Sequence, residues 1–282
     1  MDVLTTPATM RDWSRVRHDR GERIGVVPTM GALHEGHEAL IDAVRERSDA
    51  VVVTIFVNPL QFNQPADFDS YPRPIDADLT ACRAAGVDAV YAPTAAAVYP
   101  PGFQTHVEPG ELADRLEGPL RPGHFRGVVT IVTKLFGATG ADVAAFGQKD
   151  FQQLAIVRRM VRDLDLGVEI LGVPTVRAAD GLALSSRNAR LRPEDRDAAV
   201  VVSAALASAR ATFEAGERDP AVIRSVAVDR ITGEPRAALE YVDVVDAMTL
   251  EPVDRVVPPA CVATAAWFGD VRLIDNVLLD DQ

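Results

Sequence analysis

The chain has 282 residues, 48% of them apolar and 25% charged, the balance of an ordinary globular protein. Its formal net charge of −12 excludes general binding to nucleic acid or to an anionic membrane, both of which need a basic face to neutralise phosphates. The length exceeds that of a usual single domain and points to two domains, or to one large domain with an appendage.

The first strongly patterned stretch is IGVVPTMGALHEGHEALI, from Ile24 to Ile41. β-Branched residues predict a strand over 24–27, Pro28 and Gly31 end it, and Leu40, Ile41 and Val44 recur at helical spacing, so 38–47 reads as helix. A strand, glycine turn and helix in that order aim free backbone N–H groups and the positive end of the helix dipole at a ligand, which favours phosphate. His34 and His37 stand three apart, on one helical face, where both address the same ligand. Either histidine alone would read as a helix cap or a solvated side chain. Two of the chain's five histidines within four residues, separated by Glu35 and the small Gly36, mark a binding turn. No zinc site is expected, because HExxH is absent and Cys82 and Cys261 lie far apart in sequence.

Strand-like runs follow at 50–57, 89–92, 141–146 and 169–173, alternating with helical periodicity at 74–85, 128–136 and 151–163. This alternation predicts an α/β fold with a doubly wound parallel sheet, whose ligands bind beyond the carboxyl ends of the strands. His34, Asn58 and Lys149 all fall there. Asn58 and Gln61 bring two amides to one strand end, followed by Asp67, Asp69, Asp76 and Asp78; amides orient a small polar substrate without adding charge. Of 29 basic residues only Lys134 and Lys149 are lysines, and Lys149 sits at a second strand-turn-helix junction, a compact point charge suited to a phosphate.

After Pro174 the character changes. An Ala-rich helix over 193–215 and β-like segments at 239–245 and 261–268 predict a small α+β domain, so the expected division is 1–175 and 176–282. On the loop that opens the second part, Asp180-Gly181 leads to Ser185, Ser186 and Arg187, two hydroxyls and a guanidinium able to clamp phosphate. The opening MDVLTTPATMRDW lacks a charged-then-apolar leader pattern, and the small-apolar run 198–209 is too short to span a bilayer. A cytoplasmic protein is expected.

Four of these segments, PTMGALHEGH, IFVNPLQF, FGQKDFQQL and LALSSRN, together with RPGHFRGVVTIVTKLF, resemble the signatures of the pantoate–β-alanine ligase family, in the same order and along nearly the whole chain. PTMGALHEGH is similar to that family's version of the HIGH motif of Rossmann-like nucleotidyl-transferring enzymes. Gln148 stands where the family often carries glutamate, and Phe151 where it often carries tyrosine. The resemblance implies a Rossmann-like domain binding nucleotide and pantoate, with a small C-terminal lid. It implies a two-step reaction, in which ATP and pantoate give pantoyl adenylate and pyrophosphate, and β-alanine then gives pantothenate and AMP. His37, His34 and Lys149 would be catalytic. Met30, Gly31, His34, His37, Gly147, Lys149, Asp150, Val176, Leu184, Ser185, Ser186 and Arg187 would hold the nucleotide, with Mg²⁺ bridging its phosphate oxygens. Asn58, Gln61 and Gln153 would hold pantoate, Gln61 lying near β-alanine too, and Arg121 and Tyr71 would serve the substrate side or a homodimer interface. The competing readings are a related HxGH nucleotidyltransferase that stops at the adenylated or cytidylylated product, and a non-catalytic nucleotide sensor.

Overall fold

Stretches rich in β-branched residues become strands covered on both faces, as a parallel sheet between helix layers requires. The structure, a computed structural model, describes residues 1–281. Among these, β1 (Asp2–Leu4), β2 (Ile24–Thr29), β3 (Ala50–Ile55), β4 (Ala89–Tyr91), β5 (Val143–Gly147) and β6 (Glu169–Val173) form one sheet in the order β1-β4-β3-β2-β5-β6. Every pairing is parallel, with Ile24 opposite Ala50 and Gly25 opposite Val143. Strand order therefore reverses at β2 and β5, the switch point where a doubly wound sheet opens a crevice at its carboxyl edge.

Alternation along β2 serves two cores. Val26 packs with Met10, Val128 and Val132 on the side of helices Pro7–His18 and His124–Thr139. Val27 packs with Ile41, Val44 and Cys82 on the side of helices Glu35–Arg45 and Ile75–Ala84.

The described residues divide into two compact units, one of Met1–Gln148 with Gln153–Pro174, the other of Lys149–Gln152 with the chain from Thr175 onward. The second unit carries an antiparallel sheet, β7 (Ala237–Asp246), β8 (Ala260–Phe268) and β9 (Val271–Leu279), in that order. Its core joins Val202, Leu206 and Phe213 of helix Val200–Glu214 and Ile223 and Ile231 of helix Pro220–Thr232 to Val242, Val262 and Phe268 of the sheet.

Several elements depart from the sequence reading. The strand expected over 50–57 ends at Ile55, because the chain turns into the 3-10 helix Pro59–Gln61, capped by Asn58. The helix expected over 193–215 is divided at Ala199 into Pro193–Ala198 and Val200–Glu214; Ala199 accepts from Val202, an i to i+3 bond that tightens the turn. Strands β1 and β9 and helices Pro7–His18 and Pro220–Thr232 lay outside the elements expected from the sequence.

Candidate active site

The chain leaves β2 in a turn that is held from below. Gly31 (φ +86°) and Ala32 (φ 53°) occupy the left-handed region. Asp78, 3% exposed, accepts from the backbone N–H of Ala32 at 2.9 Å and of Leu33 at 2.8 Å. A Cβ at position 31 would lie 2.8 Å from Asp78 Oδ2, so only glycine fits between strand and carboxylate.

That turn delivers His34 as the N-cap of helix Glu35–Arg45. His34 Nδ1 accepts from Gly36 N–H at 3.1 Å, and His37 Nδ1 accepts from His34 N–H at 3.2 Å, the two rings lying 4.2 Å apart. A backbone N–H only donates, so both Nδ1 atoms are bare lone pairs, and in the neutral imidazoles the ring proton sits on Nε2. The helix thus begins with two Nε2–H groups that donate without carrying a positive charge, on the positive end of a helix dipole.

The second cluster of the first unit is built from amides. Asn58, 1% exposed, donates from Nδ2 to Gln61 Oε1 at 3.0 Å and to Gly127 O at 3.1 Å. Its Oδ1 accepts from the Tyr99 hydroxyl at 2.8 Å and from Leu60 N–H at 3.3 Å. Gln61 Nε2 faces Met30 Sδ at 3.3 Å, which joins this cluster to the exit of β2. The buried His124 holds the Gln61 carbonyl oxygen through Nδ1 at 2.8 Å. Gly127 makes this packing possible, since a Cβ there would sit 2.3 Å from Leu60 O. Burial pushes the Tyr99 phenol's pKa up, which keeps it a neutral donor. Tyr71 is buried, its ring 5.7 Å from Phe62; Arg121 follows the short helix Glu117–Leu120, and Gln153 lies half-buried on helix Phe151–Asp163.

Gly147 ends β5 and a 3-10 turn, Gln148–Asp150, follows. In the second unit the Lys149 carbonyl accepts from Asn276 Nδ2 at 2.9 Å. Val176 O accepts from Leu184 N–H at 2.9 Å and Arg177 bridges Ala183, so the segment doubles back on itself. The Arg177 guanidinium spans Asp275, 4% exposed at its side chain, with contacts of 2.6 and 3.0 Å. Ser185 then caps the 3-10 helix Ser186–Arg190, its Oγ accepting from Arg187 N–H at 3.2 Å.

Met30, Gly31, His34, His37, Asn58 and Gln61 thus come together in the first unit, and Lys149, Asp150, Val176, Leu184, Ser185, Ser186 and Arg187 belong to the second. Asp78, Tyr99 and His124 have places here that the sequence reading did not assign. For Asp78 a signal existed, an acidic residue just downstream of the amide-bearing turn; for Tyr99, 41 residues from Asn58, none did. Among the described residues, no group of three or more His, Cys, Asp or Glu is placed to hold a metal ion.

The chain matches the family model described as pantoate-beta-alanine ligase over residues 2–278. It is 50% identical to the pantothenate synthetase of Heliobacterium modesticaldum over 99% of this chain and 100% of that one. It is 47% identical to that of Moorella thermoacetica, over 99% of each. Among solved structures it superposes on the pantothenate synthetase of Thermus thermophilus with a TM-score of 0.94 at 42% identity, covering 100% of both chains. Against the pantoate-beta-alanine ligase of Francisella tularensis, solved with beta-gamma ATP and beta-alanine, the TM-score is 0.81 at 32% identity, over 100% of this chain and 99% of that one. With sequence, fold and the order of its motifs in agreement, the chain belongs to the pantoate–β-alanine ligase family.

Proposed function

We propose that the histidine turn carries the first half-reaction of this ligase, the adenylation of pantoate. The enzyme joins pantoate to β-alanine at the expense of ATP, through a pantoyl-adenylate intermediate. A pantoate carboxylate oxygen attacks the α-phosphorus, the bond to the β-phosphate oxygen breaks, and pyrophosphate leaves. The amine of β-alanine then attacks the acyl carbon, the acyl–oxygen bond breaks, and pantothenate, AMP and a proton are released.

Negative charge grows on the α-phosphoryl oxygens and the departing pyrophosphate, so donors already in place there lower the barrier most. The observation that carries the reading is the pair of Nδ1 caps, which commits His34 and His37 to presenting Nε2–H. His37, on the first helical turn, is the candidate to donate a hydrogen bond from Nε2–H to the α-phosphoryl oxygens. Lys149 would follow the phosphates as a point charge, and Ser185, Ser186 and Arg187 would close on the triphosphate. Met30, Gly31, Gly147, Asp150, Val176 and Leu184 would line the adenosine, and Gln61 and Gln153 would orient pantoate.

Mg²⁺ rests on the family resemblance, as an ion that would accompany the triphosphate. Bound there, it would neutralise charge on the leaving pyrophosphate. The homodimer rests on the family resemblance, and the cytoplasmic location on the sequence reading alone. No helix among the described residues is long and apolar enough to cross a membrane.

The test is pyrophosphate release by the purified enzyme. Release should require ATP and pantoate and proceed through one turnover without β-alanine. His37→Ala should slow it by roughly 10²- to 10³-fold, the usual loss for one oxyanion donor. Near-full turnover in that variant would remove His37 from the reaction.

A further inference from the structure

Gln61 is oriented by a chain of hydrogen bonds that starts from groups of fixed polarity. Leu60 N–H can only donate, so the Asn58 atom facing it at 3.3 Å is Oδ1. Gly127 C=O can only accept, so the Asn58 atom facing it at 3.1 Å is Nδ2. These two backbone groups set the direction of the Asn58 amide without reference to any ligand. The Tyr99 hydroxyl adds a donated bond to the second lone pair of Oδ1 at 2.8 Å. The remaining Nδ2 hydrogen goes to Gln61 Oε1 at 3.0 Å. Both hydrogens and both lone pairs of Asn58 are then used inside the protein, on a side chain that is 1% exposed.

The consequence passes to Gln61. With Oε1 turned toward Asn58, its Nε2 faces the other way, against Met30 Sδ at 3.3 Å, and a thioether sulfur is a weak acceptor that an oxygen of a ligand readily displaces. We propose that Tyr99 and Asn58 are positioning residues that lock Gln61 as a donor, so that its subsite selects a group that accepts, the carboxylate or hydroxyl oxygen of a hydroxy acid. Asn58, expected from the sequence to contact substrate, acts here through Gln61 instead. The inference rests on the reading of Gln61 as a pantoate ligand.

The experiment compares full-length wild-type enzyme with Tyr99→Phe, Asn58→Ala, Asn58→Asp and the Tyr99→Phe/Asn58→Ala double variant, measuring pantoate- and ATP-dependent kinetics separately. Tyr99→Phe removes one neutral hydrogen bond and should lower kcat/KM for pantoate roughly 3- to 10-fold while the KM for ATP stays within about twofold. Asn58→Asp can no longer donate to Oε1, so Gln61 must turn its Nε2 inward and offer an oxygen to substrate; kcat/KM for pantoate should fall by about 10²-fold or more. In the Asn58→Ala background, Tyr99→Phe should have no more than about a twofold further effect, because its action passes through Asn58. A general packing role would instead raise the KM for ATP in step with that for pantoate. That result, independent multiplicative effects in the double variant, or unchanged pantoate kinetics in the single variants would overturn the proposal. If the wild-type enzyme showed no pantoate-dependent pyrophosphate release, the underlying assignment of activity would fail instead, and the two failures are distinct.

Discussion

His34 and His37 are coupled through the backbone: the N–H of His34 is held by Nδ1 of His37 at 3.2 Å, while His34 itself caps the helix through Gly36. Two residues proposed to carry a chemical task therefore also perform a structural one, and the structural task decides which nitrogen of each ring carries the proton.

The two tasks of His34 separate by substitution. Asparagine is a favoured N-cap but lacks the Nε2–H reach of imidazole, whereas alanine offers neither. His34→Ala should lower stability by about 1 kcal/mol and His34→Asn should not, as read by urea unfolding. Both should slow adenylation by about 10²-fold or more. An asparagine variant with native turnover would show that the cap alone matters.

Asp78 tests the support beneath the turn. Asp78→Ala leaves the half-buried N–H groups of Ala32 and Leu33 without their acceptor, at roughly 1–3 kcal/mol each. We expect a loss of about 2–5 kcal/mol in denaturant unfolding, together with impaired adenylation. An unchanged unfolding midpoint would show that the turn holds itself.

Acid sensitivity should have a recognisable contributor in Asp195, which sits between Arg192 at 2.8 Å and Arg236 at 3.0 Å. The hydrogen bond from Arg192, followed by that from Arg236, holds its carboxyl below the usual value of 3.8 despite an opposing desolvation. The folded state therefore prefers the ionised form, so the stabilisation is complete above the unfolded pKa and is lost as pH falls through the lowered one. Asp195→Asn should flatten the fall in stability below about pH 4, measured by unfolding at a series of pH values. A parallel acid limb in the variant would assign the sensitivity to other groups.

The local elements of the site were legible because their signals are local: β-branched runs, a glycine turn and two histidines at helical spacing specify β2 and the helix after it. The amide cluster was legible only in part. Asn58 and Gln61 are three residues apart, but Tyr99 is 41 and Gly127 is 69 residues from Asn58, and such pairings come from packing, not pattern. Strand β9 was hidden for a related reason. Asp275 and Asn276 interrupt its apolar alternation and look like a loop, yet both are buried, Asp275 against Arg177 and Asn276 against the Lys149 carbonyl. Strand β1 has only three residues, with Val3 exposed, and its place at the sheet edge depends on pairing with Val90, far along the chain. The phosphate-directed parts expected of Lys149 and Ser185 came from residue type, a lone lysine at a strand-turn-helix junction and a hydroxyl on a Gly-led loop, and the family resemblance added only that the phosphate is a nucleotide's.

The most direct measurement follows oxygen through the reaction. Pantoate labelled with ¹⁸O in its carboxylate is supplied with ATP and β-alanine, and the products are separated for mass analysis. If the carboxylate attacks the α-phosphorus, that oxygen bridges carbon and phosphorus in the intermediate and leaves with the phosphate when the amine displaces it, so one labelled atom must appear in AMP. Label in inorganic phosphate, with none in AMP, would mean an acyl-phosphate route and would contradict adenylation at the histidine turn.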